Sequence, residues 1–257
     1  FGMAYYATSS APLMRKGPRD GGSSPLDDVV AVKPGIALAN FEPRASASFR
    51  PQDIAPFRFR DWSFTMGANF SAPGRLDHGT LPMPDYIRAN MNIGSVEEVM
   101  FHLFLAFMHS KGTLFADNPP VEDVYESFRG ANSLLEGLTE VIPGGEDEDG
   151  DEGEDKSKRG YVAIVSNGRS VYALNAGMSL WFIHPRGLDS AEEDDEARLE
   201  FRNDRDAQPH LRYVIVRDGR PDDPEPWHRL PFDSVLVIKE NLDVELRELA
   251  SYGSSTP

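Results

Sequence analysis

The chain carries six histidines and no cysteine. Without cysteine it has no disulfide, no thiolate metal ligand and no thiol nucleophile. His102 and His109 lie seven residues apart, which places them on one helix face. Holding a metal there would require a third ligand from elsewhere, so packing or rim positions are the expectation for both. Asp77-His78, His184, His210 and His228 are isolated in sequence. An enzyme built on His184, His210 and His228 with nearby carboxylates would have to gather them from distant loops. The sequence contains no Gly-x-Ser-x-Gly elbow for a serine nucleophile and no Gly-x-Gly-x-x-Gly or Gly-x-x-x-x-Gly-Lys-Ser/Thr phosphate cradle. The His-Glu-x-x-His zinc pattern is absent too. With 42 acidic residues some carboxylate pair is inevitable, so pairing carries no signal. The expectation is no catalytic residue, no metal and no cofactor.

Two charged segments invite a specific reading and do not support it. Eight of the ten residues 146–155 are acidic, followed by Lys156, Lys158 and Arg159. A calcium loop begun at Asp147 puts Glu152 where glycine belongs and Lys158 where the bidentate carboxylate belongs. Residues 146–159 therefore read as a self-repelling acidic surface loop. Phe57-Arg58-Phe59-Arg60 has the alternation of arginine and aromatic that contacts phosphate and stacks on bases. In an extended segment the two phenylalanines share one face and the arginines the other, which is an amphipathic strand.

One stretch resembles a known family. Val171-Tyr172-Ala173-Leu174-Asn175-Ala176-Gly177-Met178-Ser179 resembles the strand of metal-dependent PP2C-type phosphatases that reads hydrophobic-Tyr-x-Ala-Asn-x-Gly-Asp-Ser. Met178 stands at that family's aspartate, and its Asp-Gly-His-Gly motif has no counterpart. The resemblance covers about a dozen residues. It implies a pseudophosphatase scaffold without metal or turnover.

The elements that would position these residues follow from periodicity. Apolar side chains at 62, 64, 66, 68 and 70 mark a strand with one buried face. A short helix is expected over 85–91. Ser95-Val96-Glu97-Glu98 has capping-box spacing ahead of an apolar run from Val99 to Met108, which predicts a buried central helix. A second helix is expected from Asn118-Pro119-Pro120 to about Ile142, with Val121, Val124, Tyr125, Phe128, Leu135 and Leu138 as its stripe. Residues 161–165 and 171–174, joined through Asn167-Gly168, predict a hairpin with a type I′ turn. Residues 178–184 are expected to continue it as a meander. Strands are expected at 211–216 and 235–238, with a proline-rich loop holding Trp227 between them. Asn241 is expected to cap a last helix carrying Leu242, Leu246 and Leu249.

Residues 1–58 mix prolines and glycines with two short β-like runs, at 28–32 and 36–41. They read as a long irregular arm preceding a single α+β domain at 59–257. The fold class expected is α+β, an antiparallel meander packed with a buried helix pair. Residues 1–60 hold eight basic and five acidic side chains, against 18 and 37 in the remainder, for a net charge of −16 overall. That acidity makes nucleic acid an unlikely partner of the whole surface. No apolar run is long enough to span a bilayer, and Phe1–Tyr6 does not look like a signal peptide. Tyr5, Tyr6, Phe41, Phe49 and Arg50 are the candidate anchors of the arm on another subunit. The functional expectation is a non-enzymatic subunit of a multi-copy assembly, its partner itself or another assembly subunit. A viral capsid or capsid-surface protein would suit these features, inside a reducing compartment or a virion.

Overall fold

A computed structural model of the chain describes residues 1–6, 11–17, 35–40, 50–71, 81–92, 95–141, 160–183, 214–221 and 227–248. The acidic run at 146–159, His78, His184 and His210, and the anchors Phe41 and Phe49 lie outside the described residues. The strands are β1 (Gly2–Tyr6), β2 (Leu13–Lys16), β3 (Ile36–Asn40), β4 (Phe57–Phe59), β5 (Trp62–Ala68), β6 (Phe70–Ser71) and β7 (Glu140–Val141). They continue as β8 (Tyr161–Ser166), β9 (Val171–Ala176), β10 (Leu180–Ile183), β11 (Ile215–Asp218), β12 (His228–Arg229), β13 (Ser234–Ile238) and β14 (Val244–Glu248). The helices are α1 (Asp85–Arg88), α2 (Val96–Ser110) and α3 (Val121–Leu135). The α+β class expected from the sequence is the class observed.

The centre is a six-stranded antiparallel sheet in the order β14-β13-β9-β8-β5-β4. Its two faces follow from the alternation of β5. Trp62, Phe64 and Met66 point to one side and meet the helices: Phe64 stacks on Phe101 of α2 at 5.1 Å, and Phe104 of α2 stacks on Phe128 of α3 at 4.2 Å. The Trp62 indole N–H donates to the Leu114 carbonyl at 2.9 Å just beyond α2. The helix pair is therefore the apolar layer its sequence required. Ser95 caps α2 by accepting from the Glu98 N–H. The Glu98 carboxylate accepts the Asn92 N–H at 2.7 Å, three residues before the N-cap N–H on which a capping box closes.

The opposite face of the sheet supports two smaller sheets. One has the order β2-β1-β3 and the other β11-β10-β12. Val162, Ala173, Leu236 and Ile238 of the central sheet form a second core with Leu180 and Leu230, against which Phe182 and Val216 pack. The molecule is thus layered as helices, central sheet and outer sheets.

Four local expectations are corrected. Residues 178–184 do not extend the β8–β9 hairpin in its own sheet. Gly177, at φ +95°, turns the chain out of the central layer and β10 joins β11 and β12. The β8–β9 connection is a four-residue loop, closed by the Ser166–Val171 pair rather than a two-residue type I′ turn. There Gly168 alone takes positive φ (+84°), while the Asn167 side chain accepts the N–H groups of Arg169 and Ser170. The segment after Asn241 is not a helix but strand β14, paired with β13 from Ser234–Glu248 to Ile238–Val244. The second helix ends at Leu135 and is followed by a 3-10 turn (Glu136–Leu138) and by β7. Within 1–58, β1, β2 and β3 form a sheet, and the amphipathic Phe57–Phe59 segment is β4, with both phenylalanines buried and Arg58 exposed.

Candidate functional site

Strand β5 also organises the polar chemistry. Its second face carries Ser63, Thr65 and Gly67, and β1 runs along it. At one end the Tyr6 hydroxyl sits among the Ser63 hydroxyl (2.8 Å), the Asp61 carbonyl (2.7 Å) and the Ser166 carbonyl (2.8 Å). Burial pushes its pKa up to about 12 against the opposing pull of those hydrogen bonds. Tyr6 is therefore a protonated clamp between outer and central sheets, not a base.

At the other end of β1, Gly2 lies so close to the Ala55-Pro56 segment that a Cβ would stand 1.9 Å from the Ala55 carbonyl oxygen. Ala55-Pro56 leads directly into β4, whose Phe57 pairs with Phe64 of β5. The Phe1 nitrogen donates to the Gly17 carbonyl at 2.8 Å. The Lys16 ammonium donates to the Ile54 carbonyl and lies 5.4 Å from the centre of the Phe57 ring.

The Gly67 end of β5 is rich in glycine. Gly67 takes the place of a side chain that would stand 3.1 Å from the Asp218 carboxylate, at the end of β11. Asn69 accepts the Gly160 N–H at 2.7 Å through its side-chain oxygen and donates its own N–H to the Gly160 carbonyl at 3.2 Å. A Cβ on Gly160 would meet the Gly177 carbonyl at 2.7 Å. Gly219, at φ +71°, donates its N–H to the Ser179 carbonyl at 3.0 Å. Gly67 and the exposed Gly177 and Gly219 leave little side chain around the exposed Asp218 carboxylate and the half-buried Ser179, while the Gly160 and Gly219 N–H groups are taken up within the chain. A carboxylate in such a place can hold a cationic group or take a proton from water. A thiol ester cannot form, because the chain has no cysteine.

The residues singled out from sequence do not gather at this rim. Tyr6 is buried and engaged within its own chain, Tyr5 is half-buried in β1, and Arg50 is exposed before a 3-10 turn. His102 is buried with Nδ1 2.8 Å from the Glu98 carbonyl oxygen, and His109 pairs with the Tyr86 hydroxyl at 2.9 Å on the surface. His228 is exposed on β12 against Phe182. Among the described residues no three metal-ligating side chains lie together. Asn175, in the phosphatase-like stretch, serves the fold: its amide donates to the Leu230 carbonyl and its oxygen accepts the Met178 N–H. Sequence reading passed over Asp218 and Gly67. The signal for Gly67 was a glycine interrupting a well-alternated strand, which marks close approach of another group.

No protein-family model matches the sequence, and no curated protein matches it. Solved structures do. The chain is similar to a glutamine aminotransferase class-II domain protein from Silicibacter pomeroyi, with a TM-score of 0.60 and 17% identity over 97% of this chain and 91% of that one. It is also similar to a predicted glutamine amidotransferase from Pseudomonas aeruginosa, with a TM-score of 0.52 and 12% identity over 95% and 85% of the two chains. The likeness is one of fold. It overturns the expectation of a non-enzymatic capsid or assembly subunit, because the fold recurs, over 97% and 95% of this chain, in proteins described as enzymes. The expectation failed because no motif in the sequence announces this architecture.

Proposed function

We propose that this chain is an enzyme of amide chemistry, releasing or transferring the side-chain amide nitrogen of glutamine or a similar small amide at the Gly67–Asp218 rim. The observation that carries the reading is the fold, which matches a class-II domain protein over nearly the full length of both chains. The rim adds the chemistry that such a reaction uses. Asp218, exposed beside Gly67, would orient the substrate or the attacking water. In the hydrolytic form water adds to the amide carbon, the C–N bond breaks, and carboxylate and ammonia leave. The nucleophile is water or a hydroxyl such as that of Ser179.

The test is ammonia release from L-glutamine by the purified chain, read through a coupled dehydrogenase, with asparagine as the alternative amide. Release should be linear in time and in protein, and Asp218→Ala should lower it at least about tenfold, in line with the loss of a positioned acid–base or binding group. Thiol-alkylating reagents should leave the rate unchanged. Release no greater than from buffer, with either amide, would remove the reading.

A further inference from the structure

The two edges of the central sheet differ in what they offer a partner, and the difference is independent of the amide reading. β4 has three residues, follows Pro56 and ends at Arg60, whose φ of +52° breaks the extended run. An edge so short and so bounded is blunted against further pairing. β14 is five residues long, holds no proline or glycine, and pairs with β13 without a bulge from Ser234–Glu248 to Ile238–Val244. Among the described residues no strand lies on its other side.

The alternation of the ladder fixes which backbone groups face that side. The Lys239 N–H donates to the Asp243 carbonyl at 3.0 Å, which makes these two residues a hydrogen-bonded pair. Such pairs alternate along an antiparallel ladder, so Glu245 and Arg247 turn their backbone groups to β13. The N–H and C=O groups of Val244, Leu246 and Glu248 therefore point out of the sheet edge. Side chains alternate between the faces. Val244 packs on the second core, and Leu246 on the same face is 43% exposed. Glu245 and Arg247 lie on the helix face, where Arg247 donates to the Glu245 carboxylate at 2.6 Å and to Glu122 of α3 at 3.2 Å.

This segment complements its own reverse. A second copy laid antiparallel, with the two-fold axis at Leu246, sets the backbone of Leu246 against Leu246 and that of Val244 against Glu248, the groups that point outward. Glu245 then stands opposite the partner's Arg247, in the non-hydrogen-bonded position where side chains come closest. The ion pair that each copy holds is laid head to tail on its image, so every charge gains an opposite neighbour and none meets its like. The exposed leucines cover each other on the opposite face. Two other arrangements fail: parallel in-register pairing puts Glu245 on Glu245, and an axis at Val244 puts Glu245 on Asp243.

We propose that β14 binds β14 of a second copy of this chain, joining the two six-stranded sheets into one across a two-fold axis. Two five-residue strands bury less than the roughly 800 Å² per partner of a standard interface, so the association is weak and set by concentration. The experiment measures mass by sedimentation equilibrium over a concentration series. The wild type should rise from 28.5 kDa toward twice that value. The Leu246 amide hydrogen should exchange more slowly as the dimer forms. Arg247→Glu and Glu245→Arg each set like charges across the seam and should each weaken self-association at least about tenfold. Mixed in equal amounts, the two variants should associate about as tightly as the wild type, because each complements the other; that outcome also shows both to be folded. A wild type that stays at 28.5 kDa throughout overturns the proposal. So does a dimer that both variants leave intact, or a mixture no more associated than its components.

Discussion

Tyr6 shows how one side chain can join two layers. Its hydroxyl has one proton and three oxygen neighbours, so it donates to one of the two carbonyls while Ser63 donates back to it. Tyr6→Phe strands buried acceptors and should cost on the order of 1–3 kcal/mol in a denaturant melt. The raised pKa fixes a pH dependence. The folded state holds the tyrosine proton up to about pH 12, whereas an unfolded chain releases it near 10. Above 10 the unfolded state therefore binds fewer protons, and stability falls as pH rises. The contribution, full below pH 10 and roughly 2–3 kcal/mol in size, is lost between pH 10 and 12. Tyr6→Phe should flatten that part of the stability curve, and an unchanged alkaline slope in the variant would assign it elsewhere. Gly2 is a second single-residue constraint. Ala at this position places a methyl group against the Ala55 carbonyl at 1.9 Å, a main-chain clash that no rotamer relieves. Gly2→Ala should destabilise the fold by about 2 kcal/mol or more, within the range for overpacking.

At the scale of elements, the helices were legible because their signals are local. The Ser95 cap, the apolar run behind it and the spacing of Val124, Phe128 and Leu135 lie within a few turns of one another. Ser95→Ala should cost about 1 kcal/mol, the usual worth of an N-cap hydroxyl, measured by thermal or urea unfolding. β5, β8, β9, β10 and β13 were legible in type, partnership was legible only for the β8–β9 hairpin, and β14 was not legible even in type. Leu242, Leu246 and Leu249 have helical spacing, yet Val244 to Glu248 is extended because β13 offers an unpaired edge of five residues to it. Ladder formation with a buried strand outweighs local propensity there. β10 was misplaced for a similar reason. Its alternation is right for a meander, but Gly177 redirects it to another layer, and alternation carries no information about which sheet a strand joins. The candidate site was the least legible part. Gly67 and Asp218 come together only through the register of β5 and β8 and the stacking of β11 beneath them, so neither is preceded by a motif.

The whole molecule combines an acidic exterior with a fold known from proteins described as handling glutamine. The two longest described helices have 15 residues each, and no described helix is long and apolar enough to cross a bilayer. The central claim is that the rim at the end of β5 turns over an amide without a thiol. Gly67→Val tests the rim's need for bare backbone, since the added side chain would occupy the space in front of Asp218. The direct measurement is nuclear magnetic resonance of L-glutamine incubated with the purified chain, wild type beside Gly67→Val, both first treated with a thiol-alkylating reagent. The account predicts glutamate and ammonia in equal amounts from the wild type and little from the folded variant. Glutamine that stays intact with the wild type, or equal turnover by both chains, would contradict it.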